Sequence, residues 1–159
     1  MNETELLASR LLLVDDEPAN LRLLEDLLAR EGFLQVVSTT EPDQVLQLVQ
    51  AYDPDLILLD LMMPVLDGYA VLEQLQRQQA PDEFRPVLVL TADATRGACH
   101  RALALGARDF LTKPFDPVEA MLRIWNLLET RQLHKRLRAL GELAGGLPGA
   151  TRRLRHGNQ

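Results

Sequence analysis

The chain has 159 residues, 47% of them apolar, 25% charged and 4% aromatic, with a single cysteine and a net charge of −6. This excludes collagen-like, disulfide-stapled and largely disordered chains, and no apolar run approaches the roughly 20 residues that span a bilayer. The charge is uneven: residues 1–122 carry 9 Lys/Arg against 21 Asp/Glu, and residues 123–159 carry 8 against 2. An acidic body argues against nucleic acid as the main partner, since phosphate backbones are bound by clustered Lys and Arg. The segment from Met1 to Arg10 carries Glu3 and Glu5 where a secretory signal would be basic. The chain is therefore expected in the cytoplasm, with no membrane partner.

In chain order, Leu11–Val14 is a short apolar run that suits a strand buried on both faces. Pro18–Arg30 follows with Leu21, Leu24 and Leu28 at helical spacing, Pro18 in the first turn and Gly32 as the stop. Val36–Ser38 predicts a second strand, and Pro42–Tyr52 a helix entered through a Thr40/Asp43 capping box. Leu56–Leu59 predicts the third strand, Tyr69–Gln78 a helix capped by Asp67, and Val87–Leu90 the fourth strand. Arg96–Leu105 reads as a helix, Phe110–Thr112 as a weaker fifth strand, and a last helix starts near Pro117. Five strand–helix alternations with short connections predict a doubly wound α/β domain, a five-stranded parallel sheet with helices on both faces.

In such sheets the site lies beyond the carboxyl ends of the strands. Those positions hold Asp15 and Asp16, then Asp60, Thr91 and Lys113. Any one of them alone is an ordinary cap, turn residue or solvated charge. Together they form three carboxylates that repel unless a cation sits among them, and all-oxygen ligation favours Mg²⁺. Lys113 and Thr91 add the positive charge and hydroxyl that an anion held against a carboxylate requires. Asp67, Asp109 and Asp116 read as caps and turn residues, and Cys99 as helix packing. His100, His134 and His156 are too scattered for a metal or relay site.

The segments LLLVDDEPAN (Leu11 to Asn20), LILLDLMMPVLDGY (Leu56 to Tyr69), VLVLTA (Val87 to Ala92) and DFLTKPF (Asp109 to Phe115) closely resemble the receiver domain of two-component response regulators, over residues 9–130. The resemblance implies the strand order 2-1-3-4-5 and a phosphoacceptor at Asp60, charged by a sensor histidine kinase or a small phosphodonor. It implies Mg²⁺ held by Asp16, Asp60, the Met62 backbone carbonyl and, through water, Asp15. The phosphoryl oxygens would be bound by Thr91, the Ala92 amide and Lys113, which would precede a cis Lys113–Pro114 bond. It further implies a switch in which Thr91 moves toward the phosphoryl group and Phe110 turns inward, Phe110 lacking the hydroxyl of the tyrosine found in some members. Met62 and Asp93 would flank the attacking water; an apolar Met62 cannot orient it. The chain would be a signalling domain that promotes only its own phosphorylation and dephosphorylation.

Helix-favouring sequence continues past the receiver to about Leu143, before Gly145, Gly146, Pro148 and Gly149 break it. Residues 131–144 carry Leu133, Leu137, Leu140 and Ala144 at coiled-coil spacing, read as a dimer seam of a homodimer or as a linker into an appended domain or toward a downstream target. The stretch LLETRQLHKRL resembles linkers to HD-GYP phosphodiesterase or sensory modules, so a fragment of a larger regulator is the alternative. Residues 145–159 read as a flexible basic tail, too short for a DNA-binding output domain. A Mg²⁺-dependent aspartyl phosphohydrolase would need an Asp-x-Asp motif after the first strand, and a flavin protein a Ser/Thr/Gly-rich loop there; the sequence has DDEPAN.

Overall fold

A computed structural model describes residues 2–64 and 66–144, with the side chains of Leu143 and Ala144 outside the description. The basic tail and the Gly/Pro cluster expected to end the last helix lie outside the described residues. The elements are α1 (Glu3–Leu7), β1 (Arg10–Val14), α2 (Pro18–Glu31), β2 (Gln35–Thr39), α3 (Val45–Tyr52), β3 (Leu56–Asp60), α4 (Gly68–Gln78), β4 (Val87–Thr91), α5 (Arg96–Ala104), β5 (Asp109–Thr112) and α6 (Pro117–Ala144). The strands form one parallel sheet in the order β2-β1-β3-β4-β5.

Alternate residues of each strand serve opposite faces. Leu11, Leu13, Leu56, Leu58, Leu88, Leu90 and Leu111 join α2 and α6 in one core, while Leu12, Val14, Ile57, Leu59, Val87 and Val89 join α3, α4 and α5 in the other. This explains why β1, β3 and β4 read as unbroken apolar runs. Helices on both faces leave the two rims of the sheet as the places where polar groups gather.

The punctuation follows the sequence at several points. Pro18 opens α2, Gly32 closes it at φ 104°, and the Asp67 carboxylate accepts the Ala70 amide hydrogen at 2.8 Å. The 42–52 helix is different: Pro42–Gln44 is a 3-10 turn, and α3 begins only at Val45. The Thr40/Asp43 capping box does not form: the N-cap position is Glu41, whose amide donates to the Thr39 hydroxyl at 3.0 Å, and no side chain caps the turn. Asp109 is not a cap but a residue of β5, and its carboxylate pairs with Arg123 at 2.7 Å. The helix α1 has no counterpart in the sequence expectations; Leu6 buries it against the first core.

The last helix runs for 28 residues. Its inner face packs on the sheet through Ala120, Met121, Ile124 and Leu128, and then continues along the underside of the body through Arg131, which is 4% exposed. Leu133, Leu137 and Leu140 point away and are 48, 67 and 61% exposed. Among the described residues no helix is long and apolar enough to cross a membrane.

Candidate functional site

The strand ends bring Asp15, Asp60, Thr91 and Lys113 to the upper rim of the sheet. Backbone pairing carries each one past its strand: Asp15 N–H donates to Thr39 O, Leu61 N–H to Leu90 O, and Lys113 N–H to Thr91 O at 2.7 Å. The parallel register thus fixes which side chains face one another, independently of their own contacts.

Asp15, Asp60 and Thr91 are buried, whereas Asp16 is exposed. The Lys113 ammonium lies 3.0 Å from Asp15 Oδ2 and 3.3 Å from Asp60 Oδ1. Asp60 Oδ1 also accepts the Met62 amide hydrogen at 3.1 Å, and among the described residues no hydrogen bond engages Oδ2. One carboxylate oxygen is pinned and the other is open. The second oxygen of Asp15 accepts the Glu17 amide at 2.9 Å, which turns the chain into α2 and leaves Asp16 facing outward.

Oxygens of Asp15, Asp16 and Asp60 lie within 4.8 Å of one another. At such separations each pair of ionised carboxylates repels by on the order of 3 kcal/mol at an effective dielectric of about 20. One ammonium against three carboxylates leaves two negative charges, the deficit a divalent cation cancels. The all-oxygen donor set and the exposed, outward-facing Asp16 fit Mg²⁺ with retained waters. Burial first, and then the Asp15 carboxylate, push the Asp60 pKa up to about 6 against the pull of the Met62 amide and Lys113.

Thr91 turns its hydroxyl into its own loop, where it accepts the Asp93 amide hydrogen at 3.0 Å. The Asp93 carboxylate in turn accepts the Thr95 amide at 2.9 Å, which holds it below the usual carboxylate range. Ala92 shares a cleft with Asp15, Lys113, Pro114 and Phe115 on one side of the site. Lys113–Pro114 is cis. Phe110 sits across from Val89 in the β4–β5 register and is half-buried against the second core. Met62 is 61% exposed at the rim of a groove shared with Asp16, Tyr69 and Arg101, the Arg101 guanidinium lying 3.9 Å over the Tyr69 ring.

Two features escaped the sequence reading. A Cβ on Gly68 would come within 2.5 Å of Asp60 O and Leu61 Cα, so only glycine lets α4 start directly against the backbone that carries Asp60. The Tyr69–Arg101 pair joins α4 to α5 beside the site. The LDG triplet after the third strand was the available signal for the first; the second joins residues with no local pattern.

Residues 11–124 match the response regulator receiver domain family. The curated response regulator PleD of Caulobacter vibrioides is 37% identical over 151 residues, which cover 93% of this chain and 33% of PleD. The receiver domain of the Francisella response regulator 1452 superposes with a TM-score of 0.70 at 27% identity, covering 77% of this chain and 98% of that one. A two-component response regulator/GGDEF domain protein superposes with a TM-score of 0.73 at 26% identity, over 81% of this chain and 52% of that one. The chain spans about a third of PleD's length.

Because Asp60 carries its charge at a cost, the metal-free protein loses stability as pH rises through the window from about 4, the pKa of the unfolded carboxyl, to the folded pKa of about 6, where only the folded chain keeps the proton. Asp60→Asn is expected to remove that loss. Urea denaturation in the presence of chelator should show the variant more stable than wild type by about 1–3 kcal/mol near neutral pH, the gain shrinking toward pH 4. A gain independent of pH would contradict the charge origin.

Proposed function

The chain belongs to the response regulator receiver family, a domain that accepts phosphoryl groups in two-component signalling, and from that premise we propose that Asp60 is its phosphoacceptor, with Mg²⁺ and Lys113 as the balancing charges. The observation that carries this reading is the Asp60 carboxylate, buried at the end of β3 with Oδ1 held by Met62 and Lys113 and Oδ2 open. A nucleophile in that position needs little reorganisation to react.

In the proposed step an Asp60 oxygen forms a P–O bond as the P–N bond of a kinase phosphohistidine breaks, and the imidazole leaves neutral, keeping the proton already on its other ring nitrogen. Lys113, already between Asp15 and Asp60, follows the growing negative charge. Asp16, Asp60, the Met62 carbonyl and, through water, Asp15 would hold Mg²⁺, which when bound neutralises charge on the transferring group. The Thr91 hydroxyl would exchange the Asp93 amide for a phosphoryl oxygen, with the Ala92 amide beside it. Phe110, only half-buried, would fill the space that Thr91 vacates. Asp93 is engaged with Thr95, which sets it up to hold the loop rather than to activate water.

The output we infer is protein contact in the cytoplasm, with homodimerisation through Leu133, Leu137 and Leu140. Their four- and three-residue spacing on exposed helix suits a two-stranded coiled coil. The receiver of the GGDEF-type relative shares this fold, and an appended domain in a longer chain is the second use of the same helix.

Two experiments test these readings. Incubation with Mg²⁺ and acetyl phosphate, read by intact-protein mass, should add one phosphoryl group to wild type and none to Asp60→Asn; persistent labelling of the variant would move the acceptor elsewhere. Light scattering of the full chain with Mg²⁺ and beryllofluoride should give a dimer that Leu133→Glu combined with Leu137→Glu reduces to a monomer without loss of labelling. An unchanged dimer would move the interface to another surface.

A further inference from the structure

The family match ends at residue 124 and begins at residue 11, yet the segments on either side of it meet beneath the sheet, at the opposite rim from Asp60. Asp55, the residue before β3, is 5% exposed and makes the centre of that meeting. Its Oδ2 accepts the Arg10 amide hydrogen at 2.9 Å; its Oδ1 accepts Arg131 Nε at 3.2 Å and Lys135 Nζ at 3.1 Å. Arg131 also donates to the Phe84 carbonyl at 2.6 Å, so two sides of its guanidinium are fixed. Around this centre, Gln132 donates to the Ser9 hydroxyl at 3.1 Å, Arg136 pairs with Glu5 of α1 at 2.6 Å, and Arg138 pairs with Asp82 at 3.3 Å. The His134 ring lies 5.7 Å from that of Phe84.

These contacts occupy positions 131, 132, 135, 136 and 138, all on the inner side of the helix, and leave Leu133, Leu137 and Leu140 outward. Exposed pairs such as Arg138–Asp82 contribute little by themselves. The buried pair is different in kind: a guanidinium and a carboxylate removed from water are each costly unless they hold one another, so Asp55 and Arg131 are stable only together. Burial works against the ionised Asp55, but the Arg10 amide, Lys135 and Arg131 outweigh it and hold the carboxyl below its usual range.

We propose that Asp55 is an anchor that docks the first two turns of the helical extension onto the underside of the receiver, making residues 131–138 a latched arm rather than a free linker. The latch sets the direction in which the leucine stripe leaves the body. It joins the arm to the residue just before β3, the strand whose other end carries Asp60, and the N-terminal segment acts as a side rail through Glu5 of α1 and Ser9. The proposal concerns the arm's attachment and does not depend on which residue is phosphorylated.

The test is hydrogen exchange of the full chain, read by mass spectrometry of its peptides. Asp55→Asn keeps an acceptor for Arg10 but removes the charge, and should raise exchange of the 131–142 amides at least about tenfold while β1 and β4 amides stay protected. Lys135→Gln, at a half-exposed partner that does not threaten folding, should give a smaller rise in the same peptides. Should Asp55→Asn fail to fold, Lys135→Gln combined with Arg138→Gln decides the question by the same readout. Arm exchange at the wild-type rate in the folded variants would overturn the latch, as would equal loosening of arm and body, which would make Asp55 a general determinant of folding.

Discussion

Like charge gathered at the carboxyl end of a parallel sheet is the constraint on which the upper half of this molecule depends. The register of β1, β3 and β5 delivers Asp15, Asp60 and Lys113 to one point, and the backbone bonds that do so are made without regard to the charges they bring together. The apolar core supplies the force, since Leu11, Leu56, Leu58, Leu59 and Leu88 are fully buried around those strands. What results is a site with one ammonium for three carboxylates, short of positive charge. A group that brings positive charge finds a place already prepared.

The lower rim solves the same problem differently. There a single carboxylate, Asp55, meets two cations and a backbone amide, and both of its oxygens are engaged. A satisfied network rigidifies, whereas an unsatisfied one invites a ligand. β3 therefore runs between a closed electrostatic centre and an open one. In the proposed function the upper rim does the chemistry and the lower rim carries the helix through which it is read.

Much of this was legible in the residues. The strands announced themselves as apolar runs because both faces of the sheet are covered, and the site residues followed because doubly wound sheets place polar groups after the strands. Gly32 and Asp67 were readable as helix stop and start, since each satisfies backbone groups within a few residues. The misses share a cause. At Pro42–Gln44 the chain makes a 3-10 turn just after the Thr39 hydroxyl, at the end of β2, takes the Glu41 amide. The five-residue α1 is too short to be stable alone and exists through Leu6 and Arg136, far away in sequence. Asp55 and Arg131 are 76 residues apart, so nothing local marks them as partners. The outward leucines were visible from spacing alone, and the inward latch was not.

We propose that the carboxylate cluster, short of positive charge, takes up a divalent cation with Asp16 and Asp60 as ligands. Denaturation midpoints with and without millimolar Mg²⁺ test it most directly, because a ligand bound only by the folded chain raises stability by mass action. The predicted result is a clear rise for wild type at about pH 7.5, one that shrinks at about pH 5 as Asp60 protonates and is largely lost at about pH 7.5 in Asp16→Asn. No rise, or an equal rise in every case, would contradict it.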